Sequence, residues 1–219
     1  GLDDPVFRSR LNDVWGMQAM NSNYGVSDFL CNFAGQCTEQ NDLHFVASDI
    51  AHAEIVTPDS DAVLPFESGR EGELVLTHLD RECQPLLRFR TGDLIRLTAT
   101  DRCRCGRAAP RFRVIGRTDE MVIIRGVNAF PSVVAAAVNT CAELNGEYLI
   151  RLKHPPPYDR LPLEVEIAGG YEYDDRLREK ISNELSASLR LSIDLTLLSP
   201  GQLGRTEGKT RRLIREYNV

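Results

Sequence analysis

The chain has 219 residues, 42% of them hydrophobic, which is enough to form a packed core. Its formal net charge of −6 favours solubility and argues weakly against nucleic acid as a partner. No apolar run approaches the ~20 residues that a membrane-spanning helix needs. The N-terminal stretch GLDDPVFRSR lacks the basic region and apolar core of a secretory signal. These features predict a soluble, cytoplasmic protein with no nucleic-acid or membrane partner.

The first part of the chain is predicted to be rich in strands. A broken helical pattern extends to about Met20, and short apolar, β-branched runs bounded by Asp, Gly and Pro occupy residues 43–115. The runs LHFVAS, AEIVTP, GELVLTHL and LLRFRTGDLIRLTA are typical of a small sheet or barrel. The stretch GRTDEMVIIRGVNAFP that follows predicts one strand between two glycine-containing turns.

The pattern changes to alternating helices and strands after Pro131. The segments SVVAAAVNTCAEL and YDDRLREKISNELSASLR have helical periodicity, and TRRLIREY is typical of a short final helix. The segments EYLIRLKH, LPLEVEIA and LSIDLTLLS are typical of strands. We therefore predict an α+β fold, with a β-rich, barrel-like part over residues 1–118 and a compact α+β domain over residues 119–219.

Four motifs follow one another along the chain at plausible spacings. They are YGVSD at residues 24–28, RFRTGDL at residues 88–94, GRTDE at residues 116–120 with RGVN at residues 125–128, and GRTEGK at residues 204–209. In this order they resemble the later motifs of the adenylate-forming superfamily of acyl-CoA synthetases. The string RGVNAFPS and the nearby CRCGR most resemble the phenylacetate–CoA ligase branch. The resemblance extends from about Asn23 to the end of the chain.

The resemblance implies that the chain is the C-terminal portion of an AMP-forming acid–CoA ligase. In that family a carboxylate attacks the α-phosphate of ATP to form an acyl-adenylate, and the thiol of coenzyme A then displaces AMP. A mobile C-terminal lid, here residues 119–219, moves between the two half-reactions. The implied ligands are ATP or AMP, Mg²⁺, coenzyme A and a carboxylic acid, and the branch suggests an aromatic, arylacetate-like acid.

Three residues are implied to act on the nucleotide. Lys209 would be the catalytic cation at the substrate carboxylate and the α-phosphate, where negative charge develops. Asp93 would accept hydrogen bonds from both ribose hydroxyls, and Arg117 would reach the nucleotide. Taken alone, Lys209 also fits a solvated basic tail, Asp93 a turn, and Arg117 a strand end at the surface. Gly204 stands where relatives usually carry Pro, which loosens the loop before Lys209.

The first motif is implied to contribute further nucleotide contacts. Tyr24 would stack on adenine, with Gly25 next to it in the motif, and Ser27 would lie near the phosphates. Asp28 stands where relatives carry a Glu that helps to hold Mg²⁺. Because its side chain is one methylene shorter, ligation could become weaker or pass through water. Tyr24 alone would also fit an ordinary core position.

The domain boundary and the loop after it are implied to serve the second half-reaction. Asp119 would be the hinge of the lid. The loop facing coenzyme A would consist of Arg125, Gly126, Val127 and Asn128. Gly126 would allow the backbone to approach a narrow pantetheine arm, although the same residues also suit a plain β-turn. Residues 134–136 (VAA) stand where relatives usually place a Glu.

Four residues suggest a metal site. Cys37 and His44 have six residues between them, and Cys103 and Cys105 have one. Two short-spaced Cys or Cys/His pairs are the usual signature of tetrahedral zinc, and three thiolates with one histidine complete a structural set. The phenylacetate–CoA ligase branch includes members with this arrangement. The prediction is a structural Zn²⁺, and the alternative is four unliganded side chains in a reducing cytosol.

One expected element is not found in the sequence: a Ser/Thr/Gly-rich, Lys-containing loop for the β- and γ-phosphates, which in relatives lies well upstream of the Tyr-Gly motif. We therefore predict that the chain alone does not activate an acid and that an N-terminal half, in the same or another chain, completes the site. Two other functions remain open. One is a non-catalytic module that binds a nucleotide, coenzyme A or a partner protein, and the other is an adenylating enzyme with a carrier-protein or cofactor acceptor.

Overall fold

The computed structural model describes residue 2 and residues 5–58, 60–204 and 210–217. The chain divides into two compact units, Gly1–Asp119 and Glu120–Val219. Both contain helix and sheet, so the predicted α+β class is confirmed. Within the described ranges, no helix combines the length and the apolar character that crossing a bilayer requires.

In the described part of the first unit, one α-helix precedes an antiparallel sheet of seven strands. The elements are α1 (Pro5–Trp15), β1 (Tyr24–Val26), β2 (Cys31–Cys37), β3 (Gln40–Phe45), β4 (Ala51–Val56), β5 (Glu71–His78), β6 (Phe89–Ala99) and β7 (Arg111–Arg117). The strand order is β1-β2-β3-β7-β6-β5-β4. The core side chains include Phe29, Phe33, Leu43, Ile55, Leu74 and Leu97.

The predicted strands in residues 43–99 overlap β3 to β6, but β1 and β2 were not predicted. The β2 sequence CNFAGQC contains small and polar residues that do not alternate in the manner of a half-buried strand. Phe33 and Ala34 are nevertheless both buried. The segment therefore forms a strand because it pairs with β1 and β3, although its own sequence has only a weak preference for strand.

Over residues 120–204 and 210–217, the second unit contains a hairpin, a four-stranded mixed sheet and two α-helices. The elements are β8 (Val122–Ile124), β9 (Val127–Ala129), α2 (Pro131–Thr140), β10 (Leu144–Leu152), β11 (Leu161–Ile167), α3 (Asp175–Leu189), β12 (Ile193–Leu198) and β13 (Leu213–Arg215). The sheet order is β12-β11-β10-β13, in which β10 and β11 are antiparallel and the outer pairs are parallel. The helices bury Val134, Val138, Ile181 and Leu185 in the core of this unit.

Three local predictions for the second unit are corrected by the structure. The short final helix predicted over residues 210–217 is wrong, because residues 213–215 pair in parallel with β10 and tertiary pairing overrides helix propensity. The single strand predicted between residues 116 and 131 is a hairpin, β8 and β9. The helix predicted over residues 132–144 ends at Thr140, and Leu144 already begins β10.

Candidate functional site

Two of the motifs meet at the carboxylate of Asp93. Asp93 on β6 and Arg117 on β7 are register partners, and Arg117 Nη1 donates to Asp93 Oδ1 at 2.9 Å. Tyr24 Oη donates to the other oxygen, Oδ2, at 2.5 Å. The side chain of Asp93 remains 12% exposed. Because a carboxylate offers about four lone-pair positions, it can still accept two further hydrogen bonds.

Tyr24 is held by its ring as well as by its hydroxyl. The ring lies edge-on to Phe33 and Phe112, with centroids 5.2 and 5.7 Å away. Burial, followed by the adjacent charge of Asp93, raises the pKa of the Tyr24 hydroxyl. The phenol is therefore protonated at neutral pH and acts as a hydrogen-bond donor to the carboxylate.

Gly25 allows β1 to approach β2 closely beside Tyr24. A Cβ atom at Gly25 would lie 2.3 Å from the carbonyl oxygen of Cys31 and 2.8 Å from the Cα of Asn32. Both contacts are with backbone, so a side chain here would push the strands apart. Gly25 therefore has a packing role in the position of Tyr24.

The Arg90–Asp93 segment is supported by Glu73 on β5, which was missed in the sequence. Glu73 is 3% exposed; its Oε1 accepts from the Gly92 amide at 3.1 Å and its Oε2 from Arg90 Nη2 at 2.5 Å. Thr91 Oγ1 accepts from the Asp93 amide at 3.1 Å. The sequence does contain a signal for this residue, because Glu73 lies inside the apolar run GELVLTHL. A carboxylate in such a strand is seldom buried without partners, so its position indicates a paired side chain.

Ser27 and Asp28 lie in the turn between β1 and β2, and both are exposed. The turn is anchored by Phe29, which is fully buried and stacks on His78 with ring centroids 3.7 Å apart. His78 Nδ1 accepts from the Leu86 amide at 3.0 Å, so Nε2 carries the proton and donates to the Phe29 carbonyl at 3.0 Å. A buried aromatic residue thus holds a turn with two exposed oxygen-bearing side chains.

The predicted coenzyme A loop is a two-residue hairpin turn between β8 and β9. Arg125 has φ of 49° and Gly126 has φ of 81°, as in a type I′ turn. No heavy atom lies within 4 Å of where a Gly126 Cβ would be, so the backbone conformation, and not packing, favours glycine there. Arg125 Nε pairs with Asp159 Oδ1 at 3.1 Å, and both Val127 and Asn128 are exposed.

Cys37, His44, Cys103 and Cys105 converge in the first unit. Their potential ligand atoms all lie within 4.8 Å of one another. The sulfurs of Cys37 and Cys103 are 4.0 Å apart, and His44 Nε2 is 3.7 Å from Cys105 Sγ. With Zn–S bonds of about 2.3 Å, sulfur atoms on a tetrahedral zinc ion lie about 3.8 Å apart. The four side chains therefore fit a tetrahedral metal ion.

The protonation states of this cluster also suit a cation. Burial lowers the pKa of His44, which keeps the imidazole neutral and able to ligate. A backbone hydrogen bond from Arg107 lowers the pKa of Cys105 to about 7. Burial raises the pKa of Cys37, and a bound cation would oppose that effect by stabilising the thiolate. Gln40 Nε2 lies 3.2 Å from His44 Nε2, next to the cluster.

Comparison with known proteins finds similarity to CoA ligases. Residues 126–216 match the family model of the AMP-binding enzyme C-terminal domain. The phenylacetate-coenzyme A ligase of Thermus thermophilus is 34% identical over 229 aligned residues, which cover 95% of this chain and 51% of the relative. The chain is therefore similar to phenylacetate-coenzyme A ligase over almost its whole length, and its second unit is similar to AMP-binding enzyme C-terminal domains.

Two further proteins show the same similarity. The phenylacetate-coenzyme A ligase of Pseudomonas putida is 34% identical over 211 aligned residues, which cover 92% of this chain and 46% of the relative. A solved 2-hydroxyisobutyryl-CoA ligase in complex with 2-HIB-AMP matches with a TM-score of 0.85 at 28% identity, over 98% of this chain and 46% of that one. The chain spans about half the length of the curated relatives that it matches.

Three residues of the sequence motifs lie away from the Asp93 carboxylate or outside the described residues: Asp119, Gly204 and Lys209. Arg117 Nε pairs with Asp119 Oδ1 at 2.9 Å, and Asp119 is the last residue of the first compact unit. Gly204 is exposed, and a Cβ atom at this position would have no heavy atom within 4 Å. Lys209 lies outside the described residues.

Proposed function

We propose that the chain forms part of an AMP-forming acid–CoA ligase, which activates a carboxylic acid as an acyl-adenylate and transfers the acyl group to coenzyme A. The observation that supports this most is the convergence of Tyr24 Oη and Arg117 Nη1 on the two oxygens of Asp93. A carboxylate held from both sides is suited to accept from two vicinal hydroxyls. The relatives named phenylacetate-coenzyme A ligase support an aromatic, arylacetate-like acid.

In the proposed first half-reaction, the first unit binds the nucleoside of ATP. Asp93 accepts from the 2′- and 3′-hydroxyls of the ribose, while Arg117 fixes the carboxylate and adds positive charge. The ring of Tyr24 lies against adenine, and Gly25 keeps its strand close to the next one. The substrate carboxylate oxygen attacks the α-phosphorus, the bond to the bridging oxygen breaks, and pyrophosphate leaves.

The charge that develops at the α-phosphate needs cations close to it. In the proposal Lys209 supplies one of them and contacts the substrate carboxylate. Asp28 would hold Mg²⁺, directly or through water, and the bound ion would supply the second positive charge, with the Ser27 hydroxyl near the phosphates. The exposed carboxylate and hydroxyl of this turn are free of the buried core, which is consistent with that role.

In the proposed second half-reaction, residues 119–219 act as a lid that rotates about Asp119. The division into compact units after Asp119 supports this position for the hinge. The turn formed by Arg125, Gly126, Val127 and Asn128 then faces the pantetheine arm. The thiol loses its proton to solvent and its sulfur attacks the acyl carbon. The bond between that carbon and the phosphate oxygen then breaks, and AMP leaves with the electron pair.

The proposal includes structural zinc at Cys37, His44, Cys103 and Cys105. Bound there, the ion would supply a cross-link between the β2–β3 hairpin and the segment between β6 and β7, and no chemical step is assigned to it. The sulfur–sulfur distance of 4.0 Å and the buried, neutral histidine support this.

ATP–pyrophosphate exchange tests the adenylation step. We expect none from the chain alone and exchange with phenylacetate once an N-terminal half carrying the phosphate-binding loop is supplied, in the same polypeptide or by co-expression. Lys209→Ala should abolish exchange in that complex but still allow thioester formation from preformed acyl-adenylate. Arg211→Ala, which removes a neighbouring cation, is the matched control and should retain exchange. Exchange by the chain alone, or exchange unaffected by Lys209→Ala, would contradict the proposal.

The acceptor is tested separately. Preformed phenylacetyl-adenylate is offered to the completed enzyme with coenzyme A, with a carrier protein bearing a phosphopantetheine arm, or with neither. We expect thioester only with coenzyme A. Transfer only to the carrier protein would identify the chain as part of a carrier-loading enzyme instead.

A further inference from the structure

The β5–β6 ladder is interrupted at the Arg90–Asp93 motif. Glu73 pairs with Leu94 and Val75 with Arg90, so that between these pairs β5 advances by two residues and β6 by four. The extra residues bulge out of the ladder, and bulges of this kind re-aim side chains next to functional sites. The bulge leaves backbone groups that the neighbouring strand does not pair.

Glu73 fills the gap that the bulge leaves. Its Oε1 accepts from the Gly92 amide at 3.1 Å, and its Oε2 accepts from Arg90 Nε at 3.0 Å and from Nη2 at 2.5 Å. Arg90 Nη2 also donates to the Pro58 carbonyl at 2.7 Å, which connects the bulge to the segment after β4. One buried carboxylate thus fixes both the main chain and a side chain of the motif.

The conformation of Gly92 carries this effect to the nucleotide site. Gly92 has φ of 75°, and a Cβ there would lie 2.9 Å from Arg117 Nη2. The guanidinium therefore lies against the bare face of Gly92 while Nη1 contacts Asp93 at 2.9 Å. Any change in the Gly92 conformation would alter both residues.

We propose that Glu73 is a positioning residue of the nucleotide site: it sets the Gly92 turn so that Asp93 and Arg117 together receive the ribose hydroxyls. The inference deepens the proposed function and rests on it. A glutamine cannot replace Glu73, because its single acceptor oxygen cannot serve the Gly92 amide and Arg90 together. Glu73 contacts no reacting atom in this proposal and acts only through its neighbours.

The test compares two nucleotides on the full chain by calorimetry: AMP and 2′,3′-dideoxyadenosine 5′-monophosphate. We expect wild type to prefer AMP and Glu73→Gln to reduce that preference about tenfold, the effect expected for losing a hydrogen bond to a charged group. Glu71→Gln is the matched control, since Glu71 lies on the same strand and pairs with Arg96 at the surface. It should leave the preference unchanged.

A second variant keeps the test decisive if Glu73→Gln does not fold. Glu73→Met with Arg90→Met replaces the ion pair by apolar side chains of similar length, a change that folded proteins often tolerate. It removes the acceptor of the Gly92 amide, so we expect faster hydrogen exchange at Gly92 and a reduced preference for AMP.

The outcomes separate the two proposals. Folded variants that lose thermal stability but keep the wild-type preference and Gly92 protection would overturn the positioning role. A wild-type chain that shows no preference for AMP would instead overturn the ribose assignment of Asp93. Hydrogen exchange at Gly92 would then decide alone whether Glu73 sets the turn.

Discussion

Replacing Tyr24 by phenylalanine removes one hydroxyl and keeps the ring between Phe33 and Phe112. Hydrogen bonds to charged groups contribute about 1.5–3 kcal/mol to stability. Asp93 keeps its bond to Arg117 and is 12% exposed, so water can replace part of the lost interaction. We therefore expect Tyr24→Phe to lower the free energy of unfolding by about 1.5 kcal/mol, the lower end of that range.

Urea unfolding measures this difference, with an unchanged m-value as the sign that the unfolded state is the same. Tyr173→Phe is the control, because Tyr173 is 58% exposed, and it should leave the midpoint where it is. The first unit has to be followed separately from the second, since two units need not unfold together. Hydrogen exchange at β1 and β2 amides provides that local signal.

The pH dependence gives an independent check on the same contact. The pKa of Tyr24 is raised in the folded state by burial and then by Asp93, so the folded state retains a proton that the unfolded state loses. The contribution of Tyr24 is thus complete below the ordinary tyrosine pKa of about 10 and declines above it. Wild type should lose stability above pH 10 more steeply than Tyr24→Phe. Equal stability at neutral pH, or parallel curves above pH 10, would refute the contact.

Three further expectations concern the metal cluster and two glycines. The purified chain should contain one zinc ion, which Cys37→Ser should remove. Cys83→Ser, which changes an exposed thiol outside the cluster, should retain the zinc. Elemental analysis after dialysis measures the metal content, and a metal-free wild type would contradict the zinc prediction. Gly25→Ala should lower the free energy of unfolding by about 1–3 kcal/mol because it forces a side chain against the backbone of β2. Gly169→Ala, at a position with open space around it, should leave the free energy of unfolding unchanged, and chemical unfolding compares the two variants. Gly126→Ala should cost about 1 kcal/mol or more because of its positive φ, and an unchanged melting temperature would contradict that reason.

The fold class and the four-residue Cys/His cluster could be predicted because their signals are local. The change from short β-branched runs to helical periodicity near Pro131 indicated α+β architecture, and the short spacings of Cys37 with His44 and of Cys103 with Cys105 indicated a shared site. Such spacings carry information because close residues on adjacent strands or turns cannot be far apart in space.

The contacts around Asp93 could not be predicted, because they depend on strand order and on a bulge. Tyr24 and Asp93 lie 69 residues apart, and nothing local says that β3 pairs with β7. Glu73 becomes a partner of Gly92 only because β6 advances further than β5. The prediction for the last strand was wrong for a similar reason. The sequence around residues 213–215 favours a helix, and these residues form a strand because they pair with β10.

The two parts of the seven-stranded sheet are joined by one short ladder. The β3–β7 ladder that joins β1-β2-β3 to β7-β6-β5-β4 has two register pairs, Leu43–Phe112 and His44–Arg111. Tyr24 lies on one side of it and Asp93 on the other, while the four-residue Cys/His cluster spans it. Oxidation of a thiol in this cluster should therefore loosen the β3–β7 pairing and change the distance between Tyr24 and Asp93, although neither residue belongs to the cluster.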